Sequence, residues 1–371
     1  MTKRSTEEAL EVVGLDVSDR SSTVSRMSMG SSEILERTTI ATSAAGMESY
    51  FAGRPRMRVA LEAGTHSPWI SRQLEGYGHE VVVGNPALFQ ASVSRRKSDR
   101  SDADGLVRVA RLDPSLLHPV RHRSAAAQRD LAVVRSRHAL VRARTQLINE
   151  CRGQVKSYGH RLPSCSAQAF AARASAVLPE DLRPALDPLL EVIAQLSAQI
   201  RAMERTLETL ARQHYPQTLR LRQVCGVGTL TALSFILILD DPQRFARPRH
   251  AGAYLGLVPG RRQSGERSPH QPITKQGDPL LRQLLVQAAH YILGPFGPDC
   301  DLRRFGQRLI DRGGGGARCR AAVAVARRLA VLLLHLWRSG DEYDPFFVEH
   351  RRAHTADPAA TDPQTAISTH A

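Results

Sequence analysis

Apolar and polar positions alternate in short blocks along the first hundred residues, then settle into helical spacing for most of the remaining chain. EVVGLDVS (11–18) is an apolar run closed by Asp and Ser, the pattern of a buried strand. Residues 22–29 and 33–40 alternate loosely and complete a hairpin meander. RMRVALEAG (56–64) is a second apolar run that ends in an acid, and EVVVGNP (80–86) is a third, stopped by Asn-Pro. SPWISRQLEGYG (67–78) opens on Ser-Pro, carries helical periodicity and closes on Gly; another helix runs through SDADGLVRVARL (101–112). Strands with interleaved helices predict an α/β sheet domain over about 8–115.

Residues 124–157 are rich in Ala, Arg and Leu and lack Gly and Pro until Gly153, which predicts one long helix. A stretch rich in Pro, Ser and Ala (163–184) separates it from a second. There, Leu189, Ile193, Leu196, Ile200, Met203, Leu207 and Leu210 step by four and three, a heptad seam. The seam predicts a helical arm over 116–215, either a hairpin packed within the chain or a coiled coil between subunits. From 216 to 345 the chain reads as helical with Gly-rich turns. LRQVCGVGTLTALSFILIL sets a Gly-x-Gly turn before an apolar helix, PLLRQLLVQAAHYIL (279–293) is a second helix, and a last one spans about 319–338. Residues 346–371, rich in Ala, Thr, Pro and His, are expected to form a disordered tail. The fold class is therefore α/β followed by all-α.

The charge balance changes the picture from fold to partner. Lys and Arg number 51 against 36 Asp and Glu, a net +15, and such a field attracts polyanions, nucleic acid above all. Only Lys3, Lys97, Lys156 and Lys275 are lysines, so Arg carries nearly all of the positive charge. Cys151, Cys165, Cys225, Cys300 and Cys319 include no CxxC pair and suggest neither a disulfide framework nor a zinc site. No run reaches the roughly 18–20 apolar residues of a membrane span, and MTKRSTEEAL lacks a signal-peptide core. A cytoplasmic protein without membrane contact is expected.

Chemistry gathers at four acids. Asp16 and Glu62 each end a strand, and Asp99 and Asp102 stand three apart at the start of a helix, hence on one face. Acids at neighbouring strand ends plus a helical pair form a cup suited to hard divalent cations held roughly 3.5–4 Å apart. The competing reading is that Asp99 and Asp102 merely favour a helix N-terminus. Asp104, two residues beyond Asp102, is expected to point elsewhere. His66, His79, His118 and His122 show no metal-ligand spacing. VCGVGTLTA (224–232) resembles a helix-hairpin-helix turn, in which N–H groups near Gly226 and Gly228 take a phosphate without reading sequence; a plain packing corner is the alternative. Gly313–Gly316 follows no strand and precedes no Gly-Lys-Ser/Thr, so it reads as a flexible joint rather than a phosphate loop.

The order GLDVS, ALEAG and VVVGNP…RRKSDRSDADGL, followed by LRQVCGVGTL through TKQGDPLLRQLLVQAA, resembles the DEDD insertion-sequence transposases, relatives of the Piv-type invertases. The likeness covers most of 10–345. It implies a ribonuclease-H/RuvC-like N-terminal domain, with Asp16, Glu62, Asp99 and Asp102 as an acidic tetrad for two Mg²⁺ ions. It implies that Arg95, Arg96 and Lys97 face a phosphate backbone. In PGRRQSGERSPHQPITKQGD it makes Ser264 the nucleophile, although Gln263 stands where the family usually has another serine. Arg261, Arg262, Arg267 and Lys275 would then neutralise the phosphate. The resemblance further implies DNA cleavage and rejoining through a phosphoserine, a structured non-coding guide RNA, and a homo-oligomer, dimer or tetramer. No sequence-reading helix-turn-helix or zinc finger is evident, in keeping with recognition delegated to base pairing. Two rivals remain: a metal-dependent Holliday-junction resolvase or nuclease that uses water, and a non-catalytic nucleic-acid-binding scaffold.

Overall fold

The structure, a computed structural model, describes residues 11–86, 99–260 and 271–356, with no side-chain description for 99–101 and 352–356. The chain divides into two compact units, 1–123 and 124–371, so the helical arm and the C-terminal helices fall within one unit.

In the first unit the apolar runs pair into one five-stranded sheet. Strands β1 (Glu11–Val17), β2 (Ser21–Ser28), β3 (Ile34–Ala41), β4 (Met57–Glu62) and β5 (Glu80–Gly84) take the order β3-β2-β1-β4-β5. β1 pairs antiparallel with β2 and parallel with β4, and β4 pairs parallel with β5. This mixed topology fits a ribonuclease-H-like domain. Side chains alternate along a strand, so the sheet has two covered faces. Val13, Leu15, Val59 and Leu61 pack beneath α1 (Ala44–Phe51) and α2 (Ser67–Gly76) through Met47, Phe51, Ile70 and Leu74. On the other face Val12, Met27 and Ala60 meet Leu106, Val107 and Ala110 of α3 (Asp99–Leu112).

Gly14 permits that second contact. A Cβ there would stand 2.2 Å from the Ala103 carbonyl oxygen and 2.7 Å from the Val107 nitrogen. The helix therefore lies directly on the strand backbone, as only glycine allows.

In the second unit α4 (Ala125–Ser157) packs antiparallel-fashion as a hairpin partner of α6 (Arg183–His214), with the short α5 (Phe170–Ser175) between them in sequence. The seam is heptad-like but displaced from the expected one. Buried on α6 are Leu186, Leu190, Ile193, Ser197, Ile200, Leu207 and Ala211, whereas Leu189, Leu196, Met203 and Leu210 are half-buried on its flank. The displacement has a polar cause: Arg144 of α4, 5% exposed, donates to Ser197 Oγ at 3.2 Å, and Arg137 pairs with Glu204. The seam is thus used inside the chain.

The remaining core gathers α7 (Thr218–Leu221), the almost wholly buried α8 (Thr229–Leu239), α9 (His250–Tyr254), α10 (Pro279–Leu293), α11 (Asp301–Asp311) and α12 (Ala317–Ser339). Gly313–Gly316, expected as a flexible joint, forms a turn in which three glycines have positive φ and Arg320 donates to the carbonyls of Gly313 and Gly315. Of the expected tail 346–371, the described part forms helix α13 (Phe347–Ala356), where Asp301 accepts from the Val348 nitrogen at 2.8 Å and Arg304 pairs with Glu349 at 2.8 Å; residues 357–371 lie outside the described residues. Among the described residues no helix is long and apolar enough to cross a membrane.

Candidate functional site

β1 and β4 run side by side in register, Leu15 opposite Leu61, and the next residue on each is an acid. Asp16 and Glu62 therefore leave the same sheet edge, on the face that carries Val12, Gly14 and Ala60. Parallel strands lie about 4.8 Å apart, so two carboxylates begin there as direct neighbours. Thr23 of β2 stands opposite Asp16 on the other side.

α3 covers that face and reaches this edge with its N-terminal turns. Its apolar stripe, Ala103, Leu106, Val107 and Ala110, is buried, and Asp102 stands one turn before Leu106 on the same stripe. Asp99 precedes Asp102 by a further turn; its backbone is helical, and its side chain lies outside the described residues. The helix thus changes from apolar to acidic where it passes the ends of β1 and β4. Asp16, Glu62 and Asp102 are all half-buried.

Asp104 departs from this group as expected. It accepts from Arg37 at 2.8 Å and from Ser25 Oγ at 2.5 Å, across β2 and β3. Burial pushes its carboxyl up, but the hydrogen bonds from Arg37 and Ser25 outweigh that and hold it below the ordinary carboxylate range.

Hard divalent cations take oxygen ligands, and carboxylates at one edge supply them. Among the described residues no group of three His, Cys, Asp or Glu side chains closes around one point. The first turn of α3, where Asp99 would contribute, is the part of the edge with no side-chain description. Asp16, Glu62 and Asp102, three of the four expected acids, have described side chains and do not close around one point; their oxygen-donor chemistry is of the kind a divalent ion takes.

The same edge holds a feature that spacing rules overlooked. His66 follows β4 and Asp19 follows β1. The Trp69 indole N–H donates to His66 Nδ1 at 3.1 Å, so Nε2 carries the proton of the neutral ring and faces Asp19 Oδ1 at 3.3 Å. Its signal in the sequence was His-Ser-Pro-Trp, a helix start with an indole three residues on. His79, by contrast, is a core residue bound to Met57 N and Phe51 O.

In the second unit, Gly226 has φ +80° and lies against the Ala288 carbonyl of α10, 2.9 Å from where a Cβ would sit, so it is required by packing. Gly228 N-caps α8, and a Cβ there would meet nothing within 4 Å. The first glycine builds the turn; the second leaves its outer side open. Gly260 N donates to Pro272 O and Thr274 N to Val258 O, both at 2.9 Å, and Pro259 bridges Ile273. This short ladder brings the two ends of segment 261–270 together. Ser264, Arg261, Arg262 and Arg267 lie in that segment and outside the described residues, as do Arg95, Arg96 and Lys97. Lys275, exposed at φ 55°, ends the ladder.

Two family descriptions match this chain. Residues 219–298 match the transposase IS116/IS110/IS902 family, and residues 13–160 match a DEDD transposase domain of IS110 type. Among similar proteins is the transposase for insertion sequence element IS1328 of Yersinia enterocolitica, 30% identical over 248 residues, 66% of this chain and 73% of the relative. The transposase for insertion sequence element IS1111A of Coxiella burnetii is 28% identical over 294 residues, 77% and 79% of the two chains. A probable family 20 transposase of Pseudomonas aeruginosa is 28% identical over 308 residues, 81% and 90%.

Proposed function

The chain belongs to the IS116/IS110/IS902 family of DEDD transposases, enzymes that cleave and rejoin DNA, and on that premise we propose that Asp16, Glu62, Asp99 and Asp102 are its metal-binding tetrad and Ser264 its nucleophile. The observation that carries the first half is the in-register placement of Asp16 and Glu62 on the sheet face that α3 covers. Gly14 serves the same end, because its missing side chain lets α3 bring Asp102 down to that edge. The four acids would hold divalent ions, Mg²⁺ in this reading, whose chemistry would be to stabilise charge on the attacking and leaving oxygens.

Ser264 Oγ gives up its proton as it bonds to phosphorus, and the strand oxygen that leaves takes up a proton. A hydroxyl on the second strand then attacks the phosphoserine and restores Ser264. Arg261, Arg262 and Arg267 balance charge on the phosphate in this scheme. A serine hydroxyl at neutral pH needs activation, which ions held by the tetrad, of the same chain or of another subunit, would supply. Sequence choice falls to a structured RNA that pairs with donor and target DNA, and the working unit is a homo-oligomer.

Asp16→Asn and Glu62→Gln are expected to lower strand cleavage at least about a hundredfold while nucleic-acid binding persists. Cleavage at the normal rate by either variant overturns the tetrad. Cleavage by Ser264→Ala at the normal rate points instead to water as the nucleophile, the chemistry of a resolvase.

A further inference from the structure

In the second unit, α4 and α10 present facing polar stripes. On α4, His138, Arg142, Gln146 and Asn149 recur at helical spacing; on α10, Gln283 and Gln287 stand four apart. Between them lies a groove of about 1110 Å³, floored by the core residues Val134, Leu280 and Leu284 and closed at one side by Leu230 in the first turn of α8. Leu284 and Gln287 also line an adjoining hollow of about 640 Å³ over the Gly226-x-Gly228 turn, where Tyr291 is 50% exposed. The two hollows form one track.

The lining has a definite chemistry. Gln146, Asn149, Gln283 and Gln287 are exposed, and none of the four has a hydrogen-bond partner among the described residues. Arg142 has no ion pair among them either, while its neighbour Arg137 is bound to Glu204. Glu150, on the rim, is held by Gln154 at 2.9 Å. Burial, then the charges of Arg142 and Arg137, keep His138 below its ordinary pKa against a smaller opposing effect of Asp278, which leaves Arg142 as the groove's cation for a phosphate. Side-chain amides are the groups that hydrogen-bond base edges, arginine and open helix starts take phosphates, and an exposed tyrosine ring is a stacking surface. Stacking on an exposed ring needs a base free of its duplex neighbours, which favours an unpaired strand.

We propose that this groove holds an unpaired polynucleotide strand, with phosphate on Arg142 and base edges on Gln146, Asn149, Gln283 and Gln287. The proposal rests on the transposase reading and extends it, since strand exchange requires unpaired strands to be held apart from their complements. The probes are a fluorescent 20-nucleotide DNA strand, the same sequence as RNA, and the blunt DNA duplex, titrated with full-length protein. Variants are Arg142→Ala, Arg142→Lys, Asn149→Ala and Gln287→Ala, with Arg312→Ala as an exposed charge control.

Arg142→Ala is expected to reduce the salt slope of single-strand binding by about one unit, and Arg142→Lys to restore it. Gln287→Ala and Asn149→Ala are each expected to weaken single-strand binding about tenfold with duplex binding unchanged. Whichever of the DNA and RNA probes suffers the loss identifies the strand. Equal losses on duplex and single strand, or none on either single strand, overturn the groove assignment. A change of oligomeric mass in Asn149→Ala or Gln287→Ala without nucleic acid overturns it in favour of a protein contact. If the unmodified protein binds no probe, the transposase reading itself fails; if it binds and the variants bind equally, only the groove does.

Discussion

Replacing Gly14 by Ala tests how the acidic edge is assembled without touching any acid. The added methyl would sit 2.2 Å from the Ala103 carbonyl oxygen and 2.7 Å from the Val107 nitrogen, both backbone atoms of α3 that no side-chain rotation can move. Ordinary contact begins near 3.4 Å, so the helix must retreat by about 1 Å. Overpacking of this kind costs about 1–3 kcal/mol, which the sheet with its two covered faces is expected to survive. The larger effect is on chemistry. Asp102 is attached to the segment that moves, while Asp16 and Glu62 stay on their strands, and a misplacement of about 1 Å can cost a hundredfold in rate. The assay pairs a melting curve and a DNA-binding titration with strand cleavage under single-turnover conditions. The expected outcome is a modestly lower melting temperature, retained binding and cleavage reduced about a hundredfold. Gly84→Ala, whose methyl would meet Leu117 no closer than 3.3 Å, serves as the milder control. If Gly14→Ala melts later or cleaves at the normal rate, α3 does not bear on the site as argued.

Two further outcomes follow from polar groups in the framework. Arg144 is buried in the helical hairpin with one hydroxyl as its hydrogen-bond partner, and burial lowers its pKa, so a double change Arg144→Met, Ser197→Ala is expected to stabilise the arm by about 1 kcal/mol or more; a lower melting temperature contradicts this. Asp104 is held below the ordinary carboxylate range by Arg37 and Ser25, despite burial, so its contribution is complete above the unfolded carboxylate pKa and fades as pH falls through the lower folded value. Asp104→Asn should therefore lower stability at neutral pH and flatten the acid limb of a stability–pH curve; an unchanged limb removes the pair from the account.

The strands, the long helices and the two acids at strand ends were legible because each rests on a local pattern. Period-two or continuous apolar runs mark β1, β4 and β5, and α10 begins and ends where its Asp-Pro start and following Gly place it. What depended on a partner was not legible. The arm seam agrees at Ile193, Ile200 and Leu207, yet alternate positions shift to Ser197 and Ala211, with exposed Glu204 beside the seam, because arginines on α4 meet polar residues that an apolar template skips. Gly14 read as one more strand residue, since nothing in GLDVS announces a helix lying on it. α1 was missed although Ser43 caps it and Met47, Tyr50 and Phe51 are correctly spaced, its eight residues being too short for a strong period. α13 was hidden by a composition that suggests disorder, and its docking needs Asp301 and Arg304 from another helix. Of the site, the strand-end placement of Asp16 and Glu62 was readable; the His66–Trp69 bond, made across one helical turn, has no apolar period or ligand spacing to mark it.

The most direct test of the central claim is a search for a covalent protein–DNA link. Full-length protein is incubated with the DNA ends of its element, the proposed non-coding RNA and a divalent cation, then denatured, digested and examined by mass spectrometry for a nucleotide-bearing peptide. The account predicts an adduct on the peptide that contains Ser264, lost in Ser264→Ala, kept in Ser268→Ala, and lost in Asp16→Asn or when the cation is chelated. An adduct on another residue, or normal strand cleavage and rejoining by Ser264→Ala with no adduct at all, contradicts it.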